Sequence, residues 1–279
     1  MIRINSIIDI VYKYDNYLID QWGVMHDGIS GYKHAIETIN YLKKKNKNLI
    51  IISNSSKRQT SSEEKLPKLG FKKNSFNKVL TSGEMIWRLI YEKYSKLNIK
   101  KKCFHIYDNS KEDGLRFRDG LNNISFVDKI DDADFILACT PFVNMSPIDY
   151  IPILDKAIDN NLTMYCANPD FETIEKNKKQ NIFCMGAIAQ IYKKMGGEVI
   201  IQGKPDKSIY EEATSLIKLD KTKTIAVGDS IFHDIKGANN FSIDSILVKS
   251  GIHKDLNSIN NLCKNHHILP TYIIDDFSI

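Results

Sequence analysis

The chain has 279 residues, of which 42% are hydrophobic and 26% are charged, and its formal net charge is +5. These values are ordinary for a soluble protein with one large domain or two modest ones, each with its own core. The lysines are spread along the chain rather than gathered on one face, which argues against nucleic-acid binding.

The N-terminal stretch carries charges throughout and does not read as a signal peptide. No window approaches the roughly 18 apolar residues of a membrane helix. The five cysteines are odd in number and form no CxxC pair, so we expect reduced thiols. The sequence therefore predicts a cytoplasmic protein that binds no membrane.

The first predicted elements form a strand–helix–strand unit. After a short helix over residues 5–13, the apolar run 17–20 ends in an acid, as buried parallel strands often do. Helical spacing follows over residues 32–46, and the continuous apolar run 49–53 suits a central parallel strand. The crossover spacing predicts a right-handed βαβ unit.

The same alternation continues along the chain. Helices are predicted over residues 56–70, 82–94, 147–160, 182–197, 208–219 and 231–241. Strands are predicted over residues 79–81, 103–107, 124–127, 134–139, 162–167, 199–203, 224–229, 245–248 and 271–274. The pattern predicts an α/β fold, a Rossmann-like doubly wound parallel sheet. The length is large for one such sheet, which favours a second module inserted into the first.

Three polar residues close predicted strands. Asp20, Ser53 and Asp229 each end an apolar run, and Lys204 follows another such run. Ligands of open α/β sheets bind at the carboxyl ends of the strands. We therefore expect these side chains to converge on one crevice.

At these residues the sequence resembles a known family. Four stretches in order resemble the motifs of the haloacid dehalogenase superfamily: Asp20 to Val24, Ser53-Asn54, Gly203-Lys204-Pro205, and Gly228-Asp229-Ser230 with Asp234. Within it, four features resemble class IIA, the 4-nitrophenylphosphatase and sugar-phosphatase-like branch. They are Gly28, Asn54, the stretch 167–170 and the Gly-Asp-Ser-x-x-x-Asp-Ile stretch at 228–235. The resemblance covers nearly the whole chain, from about Tyr14 to the terminal strand.

The resemblance implies a Mg²⁺-dependent reaction. A carboxylate can attack phosphorus and form an aspartyl-phosphate, and Asp20 would be that nucleophile. A divalent cation would reduce the repulsion between this anion and the phosphoryl group. Because Mg²⁺ prefers hard oxygen ligands, Asp20, the Trp22 carbonyl and Asp229 would bind it, and Asp234 would act through water or by orienting its neighbours.

The remaining motif residues would bind the phosphoryl group. The Ser53 hydroxyl and the Asn54 amide would bind phosphate oxygens, and Lys204 would neutralise charge on the nucleophile and the transferring group. Each residue alone also has an ordinary interpretation: Asp20 as a turn former or N-cap, Ser53-Asn54 as a polar turn, Lys204 as a loop lysine, and Asp234 as a first-turn acid. Their co-occurrence favours a joint site.

Trp22 departs from the family pattern. Phosphatases of this family usually have a second Asp at this position, which protonates the leaving alkoxide and then activates water, and Trp22 can do neither. His26 or Asp27 would be alternative acid/base groups, although His26-Asp27-Gly28 also reads as a plain turn. The stretch resembles the Asp-x-Trp-Gly-x-x-His-Asp-Gly sequence of one class IIA-like branch.

The resemblance also implies a domain division. Residues 1–80 and 186–279 would form the hydrolase core, and residues 81–185 an inserted α/β cap that selects the leaving group. Asn168-Pro169-Asp170 would lie near the hinge, or be an ordinary turn.

Three functions remain in competition. The first is a phosphatase-like hydrolase acting on a small phosphorylated metabolite. The second is a catalytically weak or inactive protein of the same fold that binds a phosphorylated ligand, which Trp22 favours. The third, a dehalogenase, needs no metal, and Asp229 with Asp234 argues against it. The oligomeric state stays open, a homo-oligomer included.

Overall fold

The computed structural model describes residues 1–173, 182–215, 217, 220–251 and 255–279. The strands are β1 (Ile2–Arg3), β2 (Asn16–Ile19), β3 (Asn48–Ser53), β4 (Lys78–Thr81), β5 (Lys101–Ile106), β6 (Ile124–Val127), β7 (Phe135–Ala138), β8 (Thr163–Cys166), β9 (Glu172–Thr173), β10 (Ile182–Phe183), β11 (Val199–Ile201), β12 (Thr224–Gly228), β13 (Asp244–Val248) and β14 (Tyr272–Ile274). The α-helices are α1 (Lys33–Lys44), α2 (Gln59–Lys65), α3 (Ser82–Tyr94), α4 (Glu112–Arg116), α5 (Ile151–Asp159), α6 (Met185–Lys194), α7 (Lys207–Thr214), α8 (Lys236–Phe241) and α9 (Leu256–His266).

The chain divides into two units. The first contains residues 1–53, 62–80 and 204–279, and the second contains residues 54–61 and 81–203. The expected division at residue 186 differs from this grouping, because β11 pairs in parallel with β8 and so extends the sheet of the second unit. The segment 54–61 also groups with the second unit, although both of its chain neighbours belong to the first.

The first unit is built on a sheet with the strand order β1-β14-β13-β12-β2-β3-β4. Neighbours from β1 through β12 to β3 pair in parallel. This arrangement confirms the predicted Rossmann-like doubly wound fold. The central position of β2, between β12 and β3, places the predicted nucleophile beside the ends of the two strands that carry Asp229 and Ser53.

Local sequence explains the central elements of this unit. All four residues of β2 are buried, as expected for a strand covered by helices on both faces. Helix α1 buries Ala35, Ile39 and Leu42 at helical spacing. It ends before Asn46, whose φ of +55° lies in the left-handed region that asparagine tolerates.

The second unit has its own parallel sheet, with the order β11-β8-β7-β5-β6. One apolar cluster contains Ile136, Met164 and residues of α5 and α6. Another contains Leu137, Tyr165 and residues of α3. Consecutive residues of a strand thus pack into different apolar clusters, because side chains along a strand point alternately to opposite faces of the sheet.

Several predicted helices differ in the structure. In place of the short helix predicted over residues 5–13 there is a 3₁₀ turn, Ile7–Asp9, and the helix predicted over 147–160 opens with another 3₁₀ turn, Pro147–Tyr150. The helix predicted over residues 56–70 begins only at Gln59, and Pro67 lies in a 3₁₀ continuation, Leu66–Leu69. Ile182 and Phe183 pair antiparallel with β9, so the helix predicted from residue 182 begins at Met185. The helix predicted over 231–241 opens with a π-helical turn, Ile231–Ile235.

Other expectations fall partly outside the described residues. The helix predicted over 208–219 is present as α7 only up to Thr214, and residues 216, 218 and 219 are not among those described. In the part of the chain that the structure describes, no helix combines the length and the apolar character needed to cross a membrane.

Candidate active site

The carboxylates of Asp20, Asp229 and Asp234 lie at one edge of the first sheet. Strands β2 and β12 are neighbours, and the Asp20 N–H donates to the Val227 carbonyl at 2.9 Å. Asp20 and Asp229 directly follow these two strands, so both lie at their carboxyl ends. One oxygen of each of the three carboxylates lies within 4.8 Å of the others, and all three residues are buried.

Lys204 bridges two of these carboxylates. Its Nζ lies 2.7 Å from Oδ1 of Asp20 and 2.7 Å from Oδ1 of Asp234. The residue is only 2% exposed, so the ammonium is a buried cation. Burial by itself lowers the pKa of Lys204, but the two carboxylates outweigh it and raise the pKa above its usual value. The lysine is therefore held in its charged form.

Asp234 is fixed by its own turn. The Ser230 carbonyl accepts from the N–H groups of Asp234 and Ile235, and the second of these bonds closes the π turn. The Ser230 N–H donates to Oδ2 of Asp234 at 3.1 Å. A Cβ atom at Gly228 would lie 2.0 Å from Cγ of Asp234, so only glycine fits there. Such π turns often occur at functional sites.

Two glycines pack against the carboxylate of Asp229. A Cβ atom at Gly251 would lie 1.8 Å from Oδ2 of Asp229, and one at Gly23 would lie 2.2 Å from the same oxygen. Gly23 also has a φ of +75°, a conformation that other L residues rarely adopt. The Ser250 hydroxyl donates to the Gly23 carbonyl at 3.1 Å, which ties the two glycine-containing loops together. The backbone thus leaves space only for the carboxylate.

Among the described residues, this group contains more acids than bases. It consists of three buried carboxylates and one buried ammonium, which contacts two of them. The pKa of the Asp20 carboxyl is raised to about 7, because burial, together with the negative charge of Asp234, outweighs the lowering effect of Lys204. A divalent cation with a preference for carboxylate oxygens would fit both the charge and the donor set.

Ser53 closes β3, the neighbour of β2 on the side opposite β12. Ile19 of β2 pairs with Ile51 of β3, so Asp20 and Ser53 leave the sheet at the same edge. Ser53 is buried. Asn54 follows it directly but groups with the second unit, where its Nδ2 donates to Oδ1 of Asp170 at 2.7 Å.

The turn after β2 is organised by the Trp22 ring. A Cβ atom at Gly28, whose φ is +88°, would lie 2.2 Å from the outer edge of the indole. His26 meets the same ring edge-on at a centroid distance of 5.3 Å, and the Lys65 ammonium lies 5.6 Å from its centroid. Trp22 is half-buried by these contacts.

The two alternative acid/base residues have structural roles in this turn. His26 is buried, and its Nδ1 accepts from the Gly28 N–H at 3.1 Å. Oδ1 of Asp27 accepts from the N–H groups of Ile29 and Ser30. These bonds are typical of a turn. They favour the plain-turn interpretation over a proton-transfer role.

Sequence reasoning missed Gly251, Ser250 and Tyr210. Ser250 and Gly251 follow β13, the strand next to β12. They could have been found by considering the residues after this strand as well. Tyr210 lies on α7 and donates to the Asp234 carbonyl at 3.2 Å. No sequence signal points to that contact.

Comparisons with known proteins identify relatives of the chain. A family model described as a haloacid dehalogenase-like hydrolase matches residues 17–117, and one described as HAD-hydrolase-like matches residues 201–278. The chain is 24% identical over 272 residues to the 5′-nucleotidase YutF of Bacillus subtilis, covering 95% of this chain and 96% of that relative. It is 25% identical over 273 residues to an acid sugar phosphatase of Staphylococcus epidermidis, with coverages of 95% and 96%.

The fold also matches a solved structure. A haloacid dehalogenase-like family hydrolase from Brucella suis has a TM-score of 0.83 and a sequence identity of 26%, and the match covers 98% of this chain and 99% of that one.

Proposed function

Since the chain belongs to the haloacid dehalogenase superfamily of hydrolases, we propose that it hydrolyses a small phosphorylated metabolite through Asp20 with Mg²⁺ as cofactor. The observation that carries this proposal is the buried group of three carboxylates, two of which contact the same buried lysine. A structural core has little use for such a group, because buried charge is costly unless it is paired.

Asp20 is the proposed nucleophile. Its carboxylate attacks the phosphorus atom, the bond to the leaving oxygen breaks, and an aspartyl-phosphate forms that water then hydrolyses. Lys204 holds one carboxylate oxygen of Asp20 at 2.7 Å and thereby fixes the rotamer of the attacking group. The same ammonium stabilises the negative charge of the transferring group in a water-poor site.

Asp20, Asp229 and the Trp22 carbonyl are the proposed Mg²⁺ ligands, and Asp234 acts through water or through Lys204. When bound, Mg²⁺ would reduce the repulsion between the phosphoryl oxygens and the carboxylates. The glycines around Asp229 keep that carboxylate in place. Ser53 and the backbone amide of Asn54 are the proposed phosphate-binding groups, together with Lys204.

The second unit is the proposed cap, and its residues would select the leaving group. The similarity to proteins named 5′-nucleotidase and acid sugar phosphatase makes nucleoside monophosphates and sugar phosphates the first compounds to test. Trp22 lacks an acidic proton, so leaving groups that need no proton, such as the carboxylate of an acyl phosphate, are also favoured. The alternative of a binding protein is less well supported, because a binder has no need of a nucleophile.

The test is a screen of phosphorylated compounds with Mg²⁺, including nucleotides, sugar phosphates and acetyl phosphate. We expect release of inorganic phosphate from at least one class, and its loss in Asp20→Asn. The matched control is Asp15→Asn, which removes an exposed carboxylate paired with Lys47. If no compound is hydrolysed, or if Asp20→Asn keeps the wild-type rate, the proposal is wrong.

A further inference from the structure

The side chain of Asp170 contacts the residue that follows Ser53. Nδ2 of Asn54 donates to Oδ1 of Asp170 at 2.7 Å across 116 positions of the sequence. Asn54 is only 4% exposed and Asp170 is half-buried, so the bond is part-buried. Because a carboxylate can only accept, it fixes which end of the Asn54 amide faces it, and such charge-assisted bonds are short and strong.

The backbone of Asp170 is itself constrained. Its N–H donates to Oδ1 of Asn168 at 3.1 Å, which forms a tight turn around Pro169. Its carbonyl accepts from the N–H of Gly186, in the first turn of α6, at 3.1 Å. The carboxylate is therefore presented by a segment held on both sides of its Cα atom.

Glycines close the space around both partners. A Cβ atom at Gly186 would lie 2.2 Å from the Pro169 carbonyl oxygen, so α6 approaches the turn as closely as a backbone can. Gly203, with a φ of +138°, would place a Cβ atom 2.8 Å from Oδ1 of Asn54. A side chain at either glycine would therefore collide with the turn or with the Asn54 amide.

We propose that Asp170 is a positioning residue for Asn54, which orients the Asn54 backbone N–H toward the substrate phosphate. The proposal rests on the proposed function, in which that N–H binds a phosphate oxygen beside the Ser53 hydroxyl. A side chain held by Asp170 fixes the Asn54 Cα atom, and with it the direction of the adjoining N–H. Asp170 does not touch the substrate in this role.

The experiment compares Asp170→Ala, Asp170→Asn and, as a matched control, Asp131→Ala, which removes an exposed carboxylate of the same unit. Three quantities are measured: the dissociation constant of inorganic phosphate in the presence of Mg²⁺, that of Mg²⁺ alone, and the NMR signal of the Asn54 backbone amide. Circular dichroism checks that each variant is folded.

In Asp170→Ala we expect phosphate binding to weaken on the order of tenfold, because a buried donor loses its charged partner. Mg²⁺ affinity should stay at the wild-type value, and the Asn54 amide signal should shift or broaden. Asp170→Asn keeps an oxygen acceptor and should recover most of the phosphate affinity. If Asp170 only stabilised the fold, its loss would not weaken phosphate binding while leaving Mg²⁺ binding unchanged.

Unchanged phosphate affinity in Asp170→Ala would overturn the proposal, as would equal losses in Asp170→Asn and Asp170→Ala. Failure of the proposed function looks different: the wild-type protein would neither bind phosphate with Mg²⁺ nor hydrolyse any phosphorylated compound. The Asn54 amide signal still decides in that case. If Asp170→Ala leaves that signal unchanged, Asp170 does not position Asn54.

Discussion

The ammonium of Lys204 lies 2.7 Å from the carboxylate of Asp20, and both side chains are buried. The same ammonium is shared with Asp234, while Asp229 completes the group of three acids. The lysine therefore contacts two acids of a carboxylate group whose oxygens are of the kind that a divalent cation such as Mg²⁺ prefers. The predictions below follow from this arrangement.

Replacing Lys204 by methionine should destabilise the protein and remove most activity. Loss of one partner of a buried ion pair costs about 3–5 kcal/mol, and loss of an electrostatic stabiliser costs about 10²-fold or more in rate. Because a cation that binds only the folded state stabilises it, added Mg²⁺ should restore part of the lost stability. Urea denaturation of the wild type and of Lys204→Met, with and without Mg²⁺, measures these changes in the free energy of unfolding.

The control for that experiment is Lys111→Met. Lys111 forms an ion pair with Asp108 at 3.1 Å, but its side chain is 61% exposed. Exposed pairs contribute about 0–1 kcal/mol, so this variant should unfold almost like the wild type. Equal stability of Lys204→Met and the wild type without Mg²⁺ would mean that the buried pair has no stabilising role.

Removing the Asp229 carboxylate should weaken Mg²⁺ binding, whereas removing that of Asp27 should not. Even outer partners of metal ligands typically contribute about tenfold or more in affinity, so Asp229→Ala should lose at least that much. Asp27 accepts hydrogen bonds within its own turn, which makes Asp27→Ala the matched control. Titration calorimetry showing the same Mg²⁺ affinity for wild type and Asp229→Ala would refute the metal assignment.

Substituting Gly251 by alanine should disturb the site without removing any functional group. The new Cβ atom would lie 1.8 Å from Oδ2 of Asp229, so that carboxylate must move. We expect a loss of about 1–3 kcal/mol in stability and a weaker affinity for Mg²⁺.

Gly196→Ala is the control for this substitution, because among the described residues no atom other than those of its chain neighbours lies within 4 Å of its added Cβ. Its φ of +98° makes alanine strained there, so some stability is lost. Its Mg²⁺ affinity should equal that of the wild type. If Gly251→Ala also binds Mg²⁺ normally, the glycines do not position Asp229.

Trp22→Asp should raise the hydrolysis of alkyl phosphates relative to that of acetyl phosphate. An alkoxide needs a proton as it leaves, and general acid–base catalysis typically contributes about 10²–10⁴-fold. Trp22→Asn is the matched control, since it removes the same ring contacts with His26 and Gly28 but adds no acid. Folding of both variants is checked first.

Two results would contradict the role assigned to Trp22. One is an equal gain in Trp22→Asn and Trp22→Asp. The other is hydrolysis of alkyl phosphomonoesters by the wild type at ordinary enzyme rates of about 1–10³ s⁻¹. In either case the leaving group receives its proton elsewhere, and His26 and Asp27 would be mutated next.

The sequence predicts the sheet and its functional edge because both depend on local patterns. Asp20, Ser53 and Asp229 each follow an apolar run, and parallel strands that pair in register bring their carboxyl ends to one edge. Lys204 could be predicted in the same way, from its place after a strand and from its motif.

Other features depend on contacts between distant parts of the chain. The boundary predicted at residue 186 is displaced because β11 pairs with β8, and no local pattern specifies the partner of a strand. Gly251 matters only because the loop after β13 approaches Asp229. The bond between Asn54 and Asp170 joins residues 116 positions apart. None of these can be predicted from periodicity or spacing.

The most direct test of the central claim is to trap the phosphorylated enzyme. The protein is mixed with Mg²⁺ and the best substrate from the screen, quenched in acid, digested and analysed by peptide mass mapping. We predict one phosphorylated peptide, with the phosphoryl group on Asp20, and a long-lived species because Trp22 cannot activate water. Asp20→Asn should show none. Substrate turnover with no phosphorylation of Asp20, or with undiminished rate in Asp20→Asn, would contradict the claim.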